Sequence, residues 1–396
     1  MGVKGNIIDT NNNIEFPLPD YIRDLDTTHI KDNLLYYSYH TKFLLSLIKK
    51  DVDKESQQFV SAYNGFRGEL FENVVYELLL RYALENDDIT RFVLKGPHQS
   101  LSNKDNQKFG LIMDKSKQIV YKAGYKDVSE YDAMFFTKDS VVYVESTIVQ
   151  STIGLRKRLR KKTALLSLLF PKLKVKALII LSDGATGINK FPDNATVWVT
   201  KTLNPDSILE KVALKEQYKK EKFLQYKSEK FIEAHQIDVH DFKYYDTLAW
   251  ILRKAIDKDS DKINQNFFFS KSVLNYMDIY SKVYIGFIEK DQFIDILSKF
   301  DHKEVLFDKI KDQHIHVTLE KLDEGNYDLI YYYKTAYKLL YKLELINNNI
   351  KLTQKDPKGF TMSETKFMSH SYKRNHQLDV RQVKFIANTI KKWKNS

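Results

Sequence analysis

The order of helix-forming and strand-forming segments between residues 64 and 200 constrains the fold of this chain more than any other feature of its sequence. A helix over 64–86, in which Phe66, Leu70 and Val74 recur at helical spacing, precedes several short extended segments. The predicted strands are 117–123, 132–136, 141–147, 175–183 and 195–200, and a helix over 154–170 separates the third from the fourth. This order is typical of an α/β fold with one mixed central sheet and a helix crossing between the third and fourth strands.

The chain has 396 residues, enough for roughly two to three domains at about 100–200 residues each. We expect a lead-in over 1–55 that packs on an α/β domain at 56–205. Beyond Pro205, strand patterns give way to Lys- and Glu-rich helical periodicity, which predicts a helical region over 206–300 and a basic domain over 301–396. The predicted fold is therefore an α/β core with a mostly α-helical C-terminal half.

The C-terminal domain has its own pattern. The segment 327–353 predicts a helix, an Asn-rich turn at 347–349 and a short strand, which is the order of a helix and wing. Residues 358–396 carry nine Lys and Arg against Glu364 and Asp379. A winged helix, whose helix enters the major groove while its wing contacts the backbone, is one interpretation. A plain helical domain with a basic tail is the other.

The composition excludes several classes of protein. The sequence has no cysteine, which rules out disulfides, a thiolate zinc site and a cysteine nucleophile, and which favours a reducing compartment such as the cytoplasm. We expect no targeting signal and no membrane span, because no apolar run approaches about 18 residues. A net charge of +11 with 25 Tyr and 24 Phe suits a partner that offers phosphates and stackable bases, although a low-GC genome would give a similar composition.

Three acidic residues stand at positions that suit a shared site. Asp132 begins one predicted strand, Glu145 ends the next, and Glu72 lies on the preceding helix. In a hairpin, the first residue of one strand meets the last residue of its antiparallel neighbour, so we expect the carboxylates of Asp132 and Glu145 at one edge of the sheet. Two carboxylates, a backbone carbonyl and water are ligands that Mg²⁺ accepts, and Mg²⁺ held there would activate water for attack on a phosphate.

These residues resemble the motif of the PD-(D/E)xK nuclease superfamily, which has the restriction-endonuclease-like fold. The resemblance covers residues 60–205 and rests on G-x-x-F-E-x-x-V at 68–75, on Asp132 in EYDAMFF and on Glu145 in VYVEST. It implies that Asp132 and Glu145 bind the metal, that Glu72 contributes an acid or a water-held ligand, and that Ser146 lends its carbonyl oxygen. The chain departs from the pattern at Thr147, where the superfamily usually has the lysine that orients the attacking water.

The helix that follows is strongly basic. Between Leu155 and Lys176 the chain has nine Lys and Arg and no acid, at positions 156, 157, 158, 160, 161, 162, 172, 174 and 176. Arg156 with Arg160 and Lys157 with Lys161 lie one turn apart, so one helix face, to which we add Lys162, would contact nucleic acid. Lys157 or Lys161 would also supply the basic group that Thr147 lacks. The alternative is a solvated charged face.

The sequence therefore predicts a Mg²⁺-dependent DNA endonuclease, in which Mn²⁺ would substitute for Mg²⁺. The resemblance implies restriction or another anti-phage role, with a second copy of the chain or a companion defence subunit as further partners. Two alternatives remain open: a protein that binds nucleic acid without cleaving it, and an RNA-cleaving enzyme with the same metal chemistry.

Overall fold

The computed structural model of the protein falls into two compact units, Met1–Phe242 and Lys243–Ser396. It describes residues 7–8, 16–99, 109–123, 126–188, 191–214, 228–240, 282–297, 314–322, 327–334, 340–346, 349–355 and 377–394. None of the described helices is both long enough and apolar enough to cross a membrane.

Five α-helices and ten strands make up the described part of the first unit. The helices are Asp20–Arg23 (α1), Lys42–Lys49 (α2), Gln57–Glu85 (α3), Ile153–Leu169 (α4) and Asp206–Ala213 (α5). The strands are Ile7–Ile8 (β1), Arg91–Leu94 (β2), Phe109–Met113 (β3), Ile119–Ala123 (β4), Lys126–Tyr131 (β5), Ala133–Phe136 (β6), Ser140–Thr147 (β7), Lys174–Ser182 (β8), Ala195–Thr200 (β9) and Phe231–Glu233 (β10). All five predicted strands and both helices of the 64–200 segment are present.

The longest helix, α3, forms the centre of the unit's core. Its start is capped by Ser56, whose side chain accepts a hydrogen bond from the backbone N–H of Phe59. From Leu70 to Ala83 nearly every residue is buried, because apolar side chains dominate this half of the helix and the buried Glu77 accepts a hydrogen bond from the Tyr37 hydroxyl. The lead-in over 16–55 packs against it through buried side chains that include Leu34, Leu44 and Leu47.

The main sheet has seven strands in the order β1-β9-β8-β7-β6-β2-β10. Strands β7, β8 and β9 are parallel, and α4 makes the crossing between β7 and β8, while β6 is antiparallel to both β7 and β2. The apolar residues 141–144 and 177–181 are buried, as expected for strands covered on both faces. The prediction of an α/β fold with a mixed sheet is confirmed.

The prediction of one sheet is wrong for the segment 117–123. This segment forms β4, which lies between β3 and β5 in a separate three-stranded antiparallel sheet. The reason is a bend at Asp132: β5 ends at Tyr131 and pairs with β4, whereas β6 begins at Ala133 and pairs with β7. Asp132 is therefore the single residue between the two sheets.

The second unit contains a five-stranded antiparallel sheet in the order β11-β12-β13-β14-β15. Its elements are Lys282–Glu289 (β11), Lys290–Leu297 (α6), His314–Lys321 (β12), Tyr327–Lys334 (β13), Leu340–Ile346 (β14), Asn349–Lys355 (β15) and Val380–Lys394 (α7). Helix α7 contacts α6 and β13, and it buries Val383, Ile386 and Ile390 at helical spacing. The ring of Phe293 on α6 packs on Tyr331, with the ring centroids 4.8 Å apart.

The predicted helix over 327–346, and with it a mostly helical C-terminal half, is wrong for the described residues. They form β13 and β14 there, because β-branched and aromatic side chains in YDLIYYYK favour a half-buried pleated strand. The predicted wing strand is present as part of β15, but it pairs with β14 in the five-stranded sheet.

Residues 358–376 of the basic tail and most of 215–281 lie outside the described residues. The units divide after Phe242, beyond the boundary expected near 205, since β10 adds to the first unit's sheet beside β2.

Candidate functional site

The three predicted acids lie around one cavity of about 410 Å³ in the first unit. Helix α3, strand β5, the bend at Asp132, strand β7 and helix α4 all contribute to its wall. The lining residues are Glu72, Val128, Ser129, Glu130, Asp132, Glu145, Ser146, Thr147, Leu155, Arg158, Lys161 and Lys162. The structure thus brings together Glu72, Asp132, Glu145 and Ser146 as the sequence predicts, and Arg158, Lys161 and Lys162 of α4 join them.

The β6–β7 hairpin fixes the position of Asp132. Ala133 pairs with Val144 across the hairpin, so the next residues outward, Asp132 and Glu145, stand opposite each other. The backbone N–H of Ser146 donates to Asp132 Oδ2 over 2.6 Å, and the Ser146 hydroxyl donates to the same oxygen over 3.1 Å. These bonds hold the Asp132 carboxylate at the point where the two sheets meet.

Glu145 is buried, with 3% of its surface exposed, and it forms an ion pair with Lys162 of α4. The Lys162 ammonium donates to Glu145 Oε1 and also lies 5.3 Å from the centroid of the Tyr131 ring. A buried carboxylate requires such a partner, because an isolated charge is costly to remove from water. Lys162 is therefore the cation that directly contacts a predicted metal ligand.

Burial and neighbouring carboxylates raise the pKa values of three acidic residues around the cavity. Burial, followed by the charge of Asp132, raises the pKa of Glu72 to about 8. Burial also raises the pKa of Glu145 to about 7, although Lys162 opposes the shift. The pKa of Glu130, at the cavity mouth, is raised by partial burial and by Asp132. The site therefore favours added positive charge.

The oxygen atoms around the cavity suit a hard divalent cation that takes some of its ligands from water. Across the part of the chain that the structure describes, no three acidic or histidine side chains are grouped so that they could hold a metal ion by themselves. A cation in this cavity would therefore rely on two side-chain carboxylates, with a backbone carbonyl and water completing its oxygen ligands, as Mg²⁺ commonly does. The convergence of Glu72, Asp132 and Glu145 on one cavity is the observation that favours a cation there.

The predicted basic residues of α4 divide into two groups. Lys161 and Lys162 line the cavity, and Arg158 joins them. Lys157 is exposed, and neither it nor Arg156 and Arg160 is among the lining residues. Of the two lysines predicted to replace the missing one, only Lys161 thus faces the carboxylates.

Sequence reasoning assigned Lys162 to nucleic-acid contact and missed its pairing with Glu145. The signal was present in the spacing of the buried leucines of α4, which are Leu155, Leu159, Leu166 and Leu169. Lys162 lies three residues after Leu159 and four before Leu166, so it belongs to the inward-facing stripe of the helix. Glu130 was missed as well, although it shares a strand side with Asp132 by simple alternation.

We expect the metal-free protein to lose thermal stability as the pH rises from about 4.5 to about 8. In the unfolded chain Glu72 releases its proton near its ordinary pKa of 4.5, whereas in the folded protein it holds the proton to about pH 8. The folded state binds more protons over this interval, so the free energy of unfolding falls with rising pH. Thermal denaturation in EDTA at several pH values measures the slope.

Glu72→Gln should reduce that slope, because the neutral amide does not titrate; the slope that remains comes from Glu145, whose pKa is also raised. The control is Glu55→Gln, which removes an exposed carboxylate just before α3 and should leave the slope as it is in the wild type. An unchanged slope in Glu72→Gln would show that the carboxylate of Glu72 does not cause the loss of stability with rising pH.

Comparisons of the chain with protein-family models, with curated proteins and with solved structures gave no match.

Proposed function

We propose that the first unit is a metal-dependent nuclease of the PD-(D/E)xK type with a restriction-endonuclease-like core, and that it cuts DNA internally. One observation carries the proposal: Asp132 and Glu145 meet across a hairpin beside Glu72 of α3, and a lysine of the next helix pairs with Glu145. A polar cavity with convergent acids, bases and shifted pKa values is the usual form of a catalytic site.

Asp132 and Glu145 would hold the metal, with the Ser146 carbonyl as a third oxygen. A bound Mg²⁺ or Mn²⁺ would supply charge neutralisation at the phosphate and a more acidic water. The Ser146 N–H and hydroxyl keep one Asp132 oxygen in place, which leaves the other oxygen of that carboxylate for a ligand. Glu72 would hold a proton or a water at the cavity wall, in keeping with its raised pKa.

Lys162 would supply the positive charge that Thr147 lacks. Thr147 lines the cavity but carries no charge, whereas the Lys162 ammonium reaches Glu145 from α4. A cation beside the metal ligand would stabilise the charge that develops on the phosphate under attack. Arg158 and Lys161, on the same wall, would bind the phosphate backbone.

The deciding experiment uses the full-length protein with supercoiled plasmid DNA in Mg²⁺, in Mn²⁺ and in EDTA. A closed circle has no ends, so conversion to nicked or linear DNA that depends on metal supports an endonuclease. A matched single-stranded RNA tests the RNA-cleaving alternative. Metal-independent binding of the plasmid with no cutting in either metal would refute the nuclease and favour a nucleic-acid-binding protein on the same fold.

A role in restriction or anti-phage defence rests on the resemblance alone, and cutting of unmodified but not modified DNA would support it.

A further inference from the structure

The carboxylate cluster has a second buried cation that does not line the cavity. Lys95 follows strand β2, and only 1% of its surface is exposed. Lysine is almost never fully buried unless it is paired, because its charge loses hydration. Its position therefore requires partners inside the fold.

Three contacts fix Lys95. Its ammonium donates to Gln118 Oε1 over 2.7 Å and lies 5.2 Å from the centroid of the Tyr76 ring. Its backbone N–H donates to the Tyr76 hydroxyl over 2.7 Å. The next residue, Gly96, has a φ of 61°, and its N–H donates to the carbonyl of Lys117 over 3.1 Å. The lysine is thus anchored to both α3 and the loop before β4.

Strand pairing brings Lys95 toward the site. Strands β2 and β6 are antiparallel neighbours, so the end of β2, where Lys95 follows, lies toward the start of β6, which Asp132 precedes. Ile119 pairs with Tyr131, so Gln118, the residue before Ile119, lies near the same bend.

Glu72 approaches the same part of the site from helix α3. Tyr76 lies one turn after Glu72 on α3, so the two side chains share a helix face. Burial lowers the pKa of Lys95, while the charges of Asp132, Glu72 and Glu130 act in the opposite direction. The ammonium is therefore close enough to interact with the charges of these three carboxylates, although Lys95 does not line the cavity.

We infer that Lys95 is a positioning residue, whose buried charge holds the Asp132 carboxylate in place beside Glu72 so that a divalent cation can bind at Asp132 and Glu145. The inference rests on the proposed function and specifies how its metal site is preorganised. Without the ammonium, the Asp132 carboxylate loses the opposite charge behind it, and a metal ion must then fix the position of that carboxylate when it binds. Partners behind a ligand typically change metal affinity by about 10–100-fold.

The test is Mn²⁺ binding to the full-length protein, measured from free Mn²⁺ by electron paramagnetic resonance, for the wild type and for Lys95→Met. We expect the variant to bind Mn²⁺ about tenfold or more weakly. Saturating Mn²⁺ should restore its cleavage rate, because Lys95 is not among the residues that line the cavity. The control is Lys230→Met, which removes a partly buried lysine that donates to the carbonyls of Ala83 and Asn86 at the other end of α3. It should lower stability and leave Mn²⁺ affinity unchanged.

A folded Lys95→Met protein that binds Mn²⁺ as tightly as the wild type, or more tightly, would overturn the inference. If that variant does not fold, Gln118→Leu keeps the ammonium but removes its anchor, and a several-fold loss of affinity is expected; unchanged affinity would be contrary evidence. Wild-type protein that binds Mn²⁺ at this site and cuts nothing would overturn the proposed function while leaving the inference in place. If the wild-type protein cuts DNA and Lys95→Met binds Mn²⁺ with full affinity, the proposed function stands and the inference about Lys95 is overturned.

Discussion

Asp132→Asn is expected to reduce metal-dependent DNA cleavage by about 10³-fold or more, because a bound cation contributes several kcal/mol to the transition state. The substitution removes a charge and leaves the shape of the side chain. An amide oxygen can still accept the hydrogen bonds from the Ser146 N–H and hydroxyl, so the hairpin should stay folded. DNA affinity should be equal or higher, since one negative charge facing the phosphates is lost.

The matched control lies at the other end of the same hairpin. Asp139 is in the β6–β7 turn, where hydrogen bonds from Ser140, Lys174 and Thr137 lower its pKa to about 2. Asp139→Asn makes the same chemical change outside the cavity and should leave the cleavage rate unchanged. Single-turnover cleavage of both variants in Mg²⁺ and Mn²⁺ makes the comparison. Equal rates for Asp132→Asn and the wild type would exclude Asp132 as a metal ligand.

The candidate site could be predicted from local order in the sequence. Asp132 and Glu145 are separated by 12 residues, a distance that a tight hairpin closes, and the pairing of Ala133 with Val144 is what that spacing requires. Glu72 could be added because it lies on the long helix that precedes these strands. What the sequence could not reveal is that Asp132 separates two sheets, since a bend of one residue leaves the alternation of apolar side chains intact.

The C-terminal unit was harder to predict for a physical reason. Residues 327–334 contain three consecutive tyrosines, and both a buried helix face and a two-sided strand accommodate such a run. The strand forms because β13 pairs with β12 on one side and with β14 on the other, and the segment that forms β14 also has a pattern compatible with a helix. Tertiary pairing thus overrides a helical reading of the local pattern.

Lys95 and Lys162 show the same limit within the site itself. Lys95 is buried and Lys162 is partly buried, their partners come from other elements, and composition marks them only as two of 63 basic residues. Lys162 could have been identified from the leucine spacing of α4. Lys95 could not, because its assignment requires the register between β2 and β6, which the sequence does not specify.

Lys162→Met is expected to lower the single-turnover rate at saturating DNA by about 10²–10³-fold, as the loss of a preorganised electrostatic stabiliser usually does. Breaking a buried ion pair by removing one partner also costs about 3–5 kcal/mol of stability, so thermal denaturation must first show that the variant is folded under assay conditions. The comparison is Lys157→Met, on the exposed side of the same helix. It should weaken DNA binding and keep the saturated rate.

A second substitution separates a catalytic lysine from one that only pairs with Glu145. Side chains alternate along a strand, so position 147 shares a face with Glu145, and Thr147 already lines the cavity. Adding Thr147→Lys to Lys162→Met returns a positive charge to the site from the strand, and part of the lost rate should return with it. If the lysine serves only the fold, the double variant would regain stability without regaining rate. A Lys162→Met protein that cuts at the wild-type rate would show instead that cleavage does not need the Lys162 ammonium.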